Sequence, residues 1–346
     1  MRRVIIILLI IIQLPVAAGA VEFTAPAAPD TAQKLMPDKT EDFGEGLWFI
    51  ISSALNTLQP GMFEAAKTCV SLVAASLLVS LASNISGSTK HAVVLIGTAA
   101  TCIILFQPVN ALIRLGTETV QQISQYGKLL LPVMTAALAA QGGITKSSAI
   151  YGATALFDAV LSSAVAQLLV PLLYVFLCIC VCCSLFSQPL LNEMRKFIKW
   201  LITWGLKTIL YVFTGYISIT GVVSGTADAA ALKATKLTIS GAVPVVGNIL
   251  SDASEAVLVS AGIMKSSAGI YGLLAMIALW IGPFMQIGIQ YLMIKLTAGI
   301  TEMFGQKQMA GLVKDFSSAM GLVLAMTGAV CLIFMISTIC FMKGVS

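Results

Sequence analysis

Apolar runs of membrane-spanning length recur along this chain and limit its folding more than any other feature. They lie at about 68–86, 91–111, 164–187, 200–223, 268–294 and 318–342. An α-helix needs roughly 20 such residues to cross a hydrocarbon layer of about 30 Å. In that layer every backbone N–H and C=O must be satisfied within the chain, so runs of this kind form helices. The rest of the composition agrees: of 346 residues 58% are hydrophobic and 10% charged, with a mean hydropathy of +0.96. A soluble domain carries about 25% charged residues. The expected fold is therefore an all-α polytopic membrane protein with about six transmembrane helices. Two further apolar stretches, 129–145 and 241–262, are interrupted by proline, glycine and polar residues and read as broken or re-entrant segments. A shorter segment at about 47–60, with Trp48, Phe49 and Ile50 ahead of Pro60 and Gly61, is expected to lie along the interface as an amphipathic helix.

The N-terminus divides the chain further. Arg2 and Arg3, the apolar run Val4 to Leu14, Pro15 and the small residues Ala18, Gly19 and Ala20 form the three parts of a secretory signal peptide over residues 1–20. Residues 21–46, net acidic and carrying Pro26, Pro29 and Pro37, then read as a mobile extracytoplasmic tail. Residues 47–128 form an N-terminal membrane region containing the interfacial helix and two spans. With the mature N-terminus outside, six crossings bring the C-terminus back outside and put the loop with Arg195, Lys196 and Lys199 inside, as the positive-inside rule prefers. Lys233, Lys236 and Lys265 fall outside under the same scheme, so charge alone does not settle the topology.

Two passages nearly repeat each other: Ile144-Thr-Lys-Ser-Ser-Ala-Ile-Tyr-Gly152 and Ile263-Met-Lys-Ser-Ser-Ala-Gly-Ile-Tyr-Gly272. Each follows a broken segment, with Pro132 in the first and Pro244 in the second, and each precedes a long apolar span. The region divides into a membrane repeat over 129–240 and a second over 241–346, an internal parallel repeat related by an axis along the membrane normal. Duplicated units with discontinuous helices mark a pathway or binding site in many transport proteins. A duplicated scaffold that conducts nothing has the same signature.

Polar residues at membrane depth are the candidate site. Gly241, Pro244 and Gly247 break the backbone. Asn248, Ser251, Asp252 and Glu255 follow at spacings that put them on one helical face. That face belongs against a cavity, a partner subunit or water, because a charge turned to lipid costs about 2.5–3.5 kcal/mol even on lenient scales. A surface loop helix with solvated carboxylates would look the same. Asp158 lies in the first repeat, where pairing with Lys146 or Lys207 would offset its burial, and Lys207 itself can snorkel to the headgroups. The triplets Lys146, Ser147, Ser148 and Lys265, Ser266, Ser267 are placed to cap the helices after them. Cys178, Cys180, Cys182 and Cys183 match no zinc spacing and read as soft packing residues, and His91 reads as interfacial. No catalytic constellation, metal set, cofactor motif or nucleic-acid footprint is present, so the expectation is a non-enzymatic protein whose immediate partner is the lipid bilayer.

The signal peptide, the segment Leu129-Leu-Leu-Pro-Val-Met-Thr-Ala-Ala-Leu-Ala-Ala-Gln-Gly-Gly143, and the passage from Lys236 through Ser240, Pro244, Gly247 and Asp252 to Glu255 together resemble the stage III sporulation protein AE family of endospore-forming bacteria. The likeness runs over essentially the whole mature chain. It implies a multi-pass component of the complex that joins the mother cell to the forespore, expected in the mother-cell membrane surrounding the forespore. The implied partners are the other stage III sporulation A-operon proteins, a secretion-type ATPase among them, and indirectly stage II sporulation protein Q. It supplies no catalytic residues. A free-standing secondary transporter coupled to ions through intramembrane carboxylates is the alternative.

Overall fold

The turns show best why the chain packs as it does. The computed structural model describes residues 26–37, 42–140, 144–186, 188–219 and 267–344, and every regular element among them is helical. Helices α1 (Asp30–Gln33) and α2 (Phe43–Thr57) precede α3 (Gln59–Ile85). Asp42 caps α2 by accepting the Gly44 N–H at 3.2 Å, and Pro60 sits in the first turn of α3, where its missing N–H costs nothing. A 3₁₀ turn, Gly87–Thr89, then reverses the chain, with Gly87 at φ +47 where a side chain would be strained. The following helix α4 (Lys90–Ala140) has 51 residues, a rod of roughly 75 Å.

Next, α5 (Ile144–Ala164), a π turn (Val165–Leu169) and α6 (Val170–Phe186) make an almost unbroken descending rod. The π turn comes immediately before Pro171, whose ring has no N–H for the Gln167 carbonyl and crowds it; one extra residue per turn relieves that clash. The chain returns in α7 (Pro189–Ile219). Helices α8 (Ser267–Met303) and α9 (Lys307–Gly344) form a second hairpin, joined through Gly305 at φ +76.

Contacts fix the directions. Gly116 and Gly127 of α4 face Val323 and Phe334 of α9, so these two helices run in parallel. Gly116 also meets Ile287, and Gly272 meets Leu130, so α8 runs against α4. Arg195 and Lys199 of α7 bond Asp315 and Ser318 of α9, which makes α7 another ascending helix. The hairpins α5–α6/α7 and α8/α9 thus descend and rise in the same sense.

Helix α9 is the centre of the bundle. Beyond its first three turns it is apolar on nearly every side, and 94% of its most apolar stretch is buried, against 17% for α3. A helix with no polar face must be enclosed, by lipid or by protein, and here protein does it. The stretch Leu273 to Trp280 of α8 is enclosed in the same way.

Five helices among the described residues are long and apolar enough to cross a membrane: Gln59–Ile85, Gly87–Ala137, Ile150–Phe186, Gly269–Met303 and Lys307–Met342. The sixth stretch, 200–223, falls largely on α7, which is described to Ile219. It buries Ile202, Leu206, Phe213 and Ile217 and exposes Phe197, Trp200, Trp204 and Tyr211 on the other side. Its lysines and indoles leave it less apolar than the other five.

Two expectations change. Pro132 does not break the chain: α4 runs through it to Ala140, with the ring on the exposed side, so 129–140 is the end of a long helix and not a half-helix. Residues 26–37 are not a loose tail, since Ala28 and Ala32 are buried and α1 packs on α8. Ser147 and Ser148 stand within the first turns of α5, which is described from Ile144.

Candidate functional site in the bundle interior

Helix α5 turns a polar seam inward. Thr154, Asp158 and Ser162 lie at successive i, i+4 positions and so share a face. Asp158 is 2% exposed. Its Oδ2 accepts a hydrogen bond of 2.8 Å from the Ser124 hydroxyl of α4, while its Oδ1 has no partner among the described residues. The cation whose field reaches it is Lys128, one turn beyond Ser124. One turn along α5, the Thr154 hydroxyl donates to Ser337 of α9 at 2.8 Å, and Ser337 donates to the Ile333 carbonyl at 2.8 Å. Thr154, Ser124 and Ser337 are buried with Asp158, so three helices meet around one carboxyl group and a line of hydroxyls. A buried ionisable group inside a membrane bundle is costly to keep and is a default candidate for function.

Sequence reasoning named Asp158 but expected Lys146 or Lys207 beside it; the structure puts Ser124 there instead. The signal for Ser124 was weak: one hydroxyl in a polar stretch of α4 that faces inward only because Tyr126 and Ile123 beside it are core residues.

A second polar contact was missed. Arg195 and Asp315 bond at 2.5 Å where α6, α7 and α9 come together, and the Cys180 thiol donates to the same carboxylate. Asp315 sits three residues before the apolar run that begins at 318, which hid its inward position. All eight cysteines are free, with Cys180 and Cys183 buried, Cys182 partly so and Cys178 on the surface.

The other candidates are distributed differently. Pro132 is exposed on α4. Lys146 and Ser147 lie in the first turn of α5, Ser148 is exposed, and Ser267 opens α8 as described. Gly241, Pro244, Gly247, Asn248, Ser251, Asp252, Glu255, Lys265 and Ser266 lie outside the described residues. Among the described residues no group of three or more His, Cys, Asp or Glu side chains is placed to hold a metal ion.

Among the described residues, a bundle of long apolar helices around a largely enclosed central helix, with one carboxyl group held inside by a hydroxyl, defines an all-helical protein with five candidate membrane spans. The stage III sporulation protein AE profile matches residues 34–344, so the chain belongs to that family. It is similar to the stage III sporulation protein AE of Bacillus subtilis (strain 168), at 24% identity over 226 residues, which cover 65% of this chain and 56% of the relative. The match thus spans little more than half of that relative's length. No solved structure matches the chain.

Proposed function

We propose that this protein is a non-enzymatic multi-pass subunit of the channel, or secretion-like complex, between mother cell and forespore that sustains forespore development during sporulation. Its membership of the stage III sporulation protein AE family carries the reading. The helical bundle supports it, since a membrane-embedded core around one enclosed helix suits a permease-like subunit better than a peripheral one. On this reading the protein sits in the mother-cell membrane surrounding the forespore. It works with the other stage III sporulation A-operon proteins, whose secretion-type ATPase supplies the nucleotide chemistry, and meets stage II sporulation protein Q indirectly. Affinity purification of the full chain from sporulating cells is expected to bring these proteins with it. A monodisperse protein without partners at that stage would overturn the proposal.

One observation favours a second reading, a free-standing secondary transporter: the bare Oδ1 of Asp158, buried beside Ser124, is a place where a coupling ion could bind. Gradient-driven uptake into vesicles containing only this protein, abolished by Asp158→Asn, would favour transport without a complex.

A further inference from the structure

Lysines from three helices gather around one turn of α9. The Ser317 hydroxyl donates to the Tyr291 carbonyl of α8 at 3.3 Å, and the adjacent Ser318 hydroxyl accepts from the Lys199 ammonium of α7 at the same distance. Lys314 stands three and four residues before these serines, so on the helix surface it lies between them, in the opening between α7 and α8. It is exposed, while Leu312, Val313 and Phe316 beside it are buried. On the α8 side the Lys295 ammonium is drawn back along its helix to the Tyr291 hydroxyl at 3.1 Å, which returns it to the level of Ser317. Lys199, Lys314 and Lys295 thus border one opening.

Charge in this opening is not balanced. Asp315 of α9 and Glu193 of α7 are held by Arg195 and Lys196. Among the described residues, Lys199, Lys314 and Lys295 have no acidic partner within salt-bridge distance, and the hydroxyls of Ser318 and Tyr291 that two of them reach are neutral. Lys307, two turns before Lys314 on the same face, adds a further cation, and Glu302 of α8 a further carboxylate. Six cations, Arg195, Lys196, Lys199, Lys295, Lys307 and Lys314, therefore stand against three carboxylates.

The flanks of the opening are apolar. Phe197, Trp200 and Trp204 are exposed on α7 and stack in series, with ring centroids 6.0 and 5.9 Å apart. Leu292, Leu296 and Ile300 are exposed on α8 around Lys295. Cations set in such a surface call for an anion, because a charge turned to hydrocarbon is strongly disfavoured. A small soluble anion would satisfy the lysines and leave both flanks bare. A phospholipid with an anionic headgroup matches both features, and basic pockets between membrane helices are known to take such headgroups.

We propose that the opening between α7 and α8 binds an anionic phospholipid, its phosphate held by Lys199, Lys314 and Lys295 and its acyl chains lying against Trp200, Trp204 and the α8 leucines.

Native mass spectrometry of the full chain in neutral detergent, titrated with phosphatidylglycerol or with phosphatidylcholine of the same chain length, tests this. The wild-type chain is expected to bind phosphatidylglycerol roughly ten-fold more tightly, since each lysine near a headgroup contributes several-fold. Glutamine at all three positions (Lys199→Gln, Lys295→Gln and Lys314→Gln together) should abolish the preference, and arginine at the same positions should keep it. Glutamine at Lys67, Lys90 and Lys128, exposed lysines elsewhere on the bundle, should leave it unchanged. All six side chains are exposed, so the melting temperature should stay that of the wild type. Equal binding of the two lipids by the wild-type chain, or a preference that survives the first glutamine triple, would overturn the proposal. Complete displacement of the lipid by excess inorganic phosphate would overturn it too, because the apolar flanks would then play no part. An acidic protein that co-purifies from cells through the same three lysines and excludes the lipid would reassign the opening to a protein partner.

Discussion

The Arg195 guanidinium and the Asp315 carboxylate meet at 2.5 Å across 120 positions of sequence and tie the base of α7 to the base of α9. Neither group is fully withdrawn from solvent: their side chains are 28% and 14% exposed. The bond holds α7, whose other face is open, onto the central helix at the point where the chain has just turned upward.

Removing either partner should therefore loosen α7. A fully buried pair loses about 3–5 kcal/mol when broken and an exposed one 1 or less, so this partly covered pair should fall near 1–3 kcal/mol. Arg195→Ala and Asp315→Ala are each expected to lower the melting temperature of the detergent-solubilised protein by several degrees. The double variant should lose less than the two single losses combined, because one interaction is being removed twice. Strict additivity would mean that the two charges act independently.

The packing of α4 on α9 makes a sharper prediction. A Cβ at Gly127 would overlap the Phe334 ring, which is buried and has nowhere to move. Gly127→Ala should destabilise the protein by about 1–3 kcal/mol, the usual cost of overpacking, despite alanine's better helix propensity. Phe334→Leu, which shortens the obstructing side chain, is expected to recover part of the loss in the double variant. A gain in stability for Gly127→Ala alone would show that propensity outweighs the clash.

Much of this architecture could be read from the residues, for identifiable reasons. Helical class and membrane character follow from run length, because the hydrocarbon layer sets one length scale for every span. What a run faces does not follow. Residues 318–342 and 268–294 look like ordinary spans, yet α9 is enclosed by protein while α3, with a similar hydropathy to α8, is largely uncovered. Breaker residues misled at Pro132, since a proline on the outer side of a long helix need not end it. For the site, Asp158 could be found because a carboxylate in an apolar stretch needs an explanation. Its partner Ser124 could not, because serine is common and its inward direction depends on the rotation of a 51-residue helix. The docking of residues 26–37 was hidden by composition: prolines and acidic residues suggest a loose tail, and the two alanines that anchor it, Ala28 and Ala32, carry no distinctive signal.

That docking is open to test. Ala32 is fully buried in the contact of α1 with α8, and flanking bonds of 3.3 Å run from the Tyr126 hydroxyl to the Pro26 carbonyl and from the Ala28 N–H to the Tyr271 hydroxyl. Bonds that long are weak, so the alanine contact does most of the holding. Ala32→Glu should release the segment and make Lys34 at least several-fold more susceptible to trypsin, while the bundle itself melts as before. Unchanged cleavage at Lys34 would show that the segment is held elsewhere.

Asp158 and Ser124 separate structural need from function. Ser124→Ala removes the one donor, among the described residues, to a buried carboxyl group and should cost about 1–3 kcal/mol, the penalty for leaving a buried polar group without its partner. If the carboxyl served packing alone, an apolar residue of similar size would serve better, because the desolvation it suffers would disappear. Asp158→Leu is therefore expected to melt at or above the wild-type temperature, and in that background Ser124→Ala should cost little. Function should move the other way: cells carrying Asp158→Leu are expected to yield at least ten-fold fewer heat-resistant spores than cells with the wild-type chain, at equal protein level. Full spore yield from this variant would assign the carboxyl no role beyond the fold, and a marked loss of stability would show that the carboxylate, with its bond to Ser124, helps hold α5 against α4.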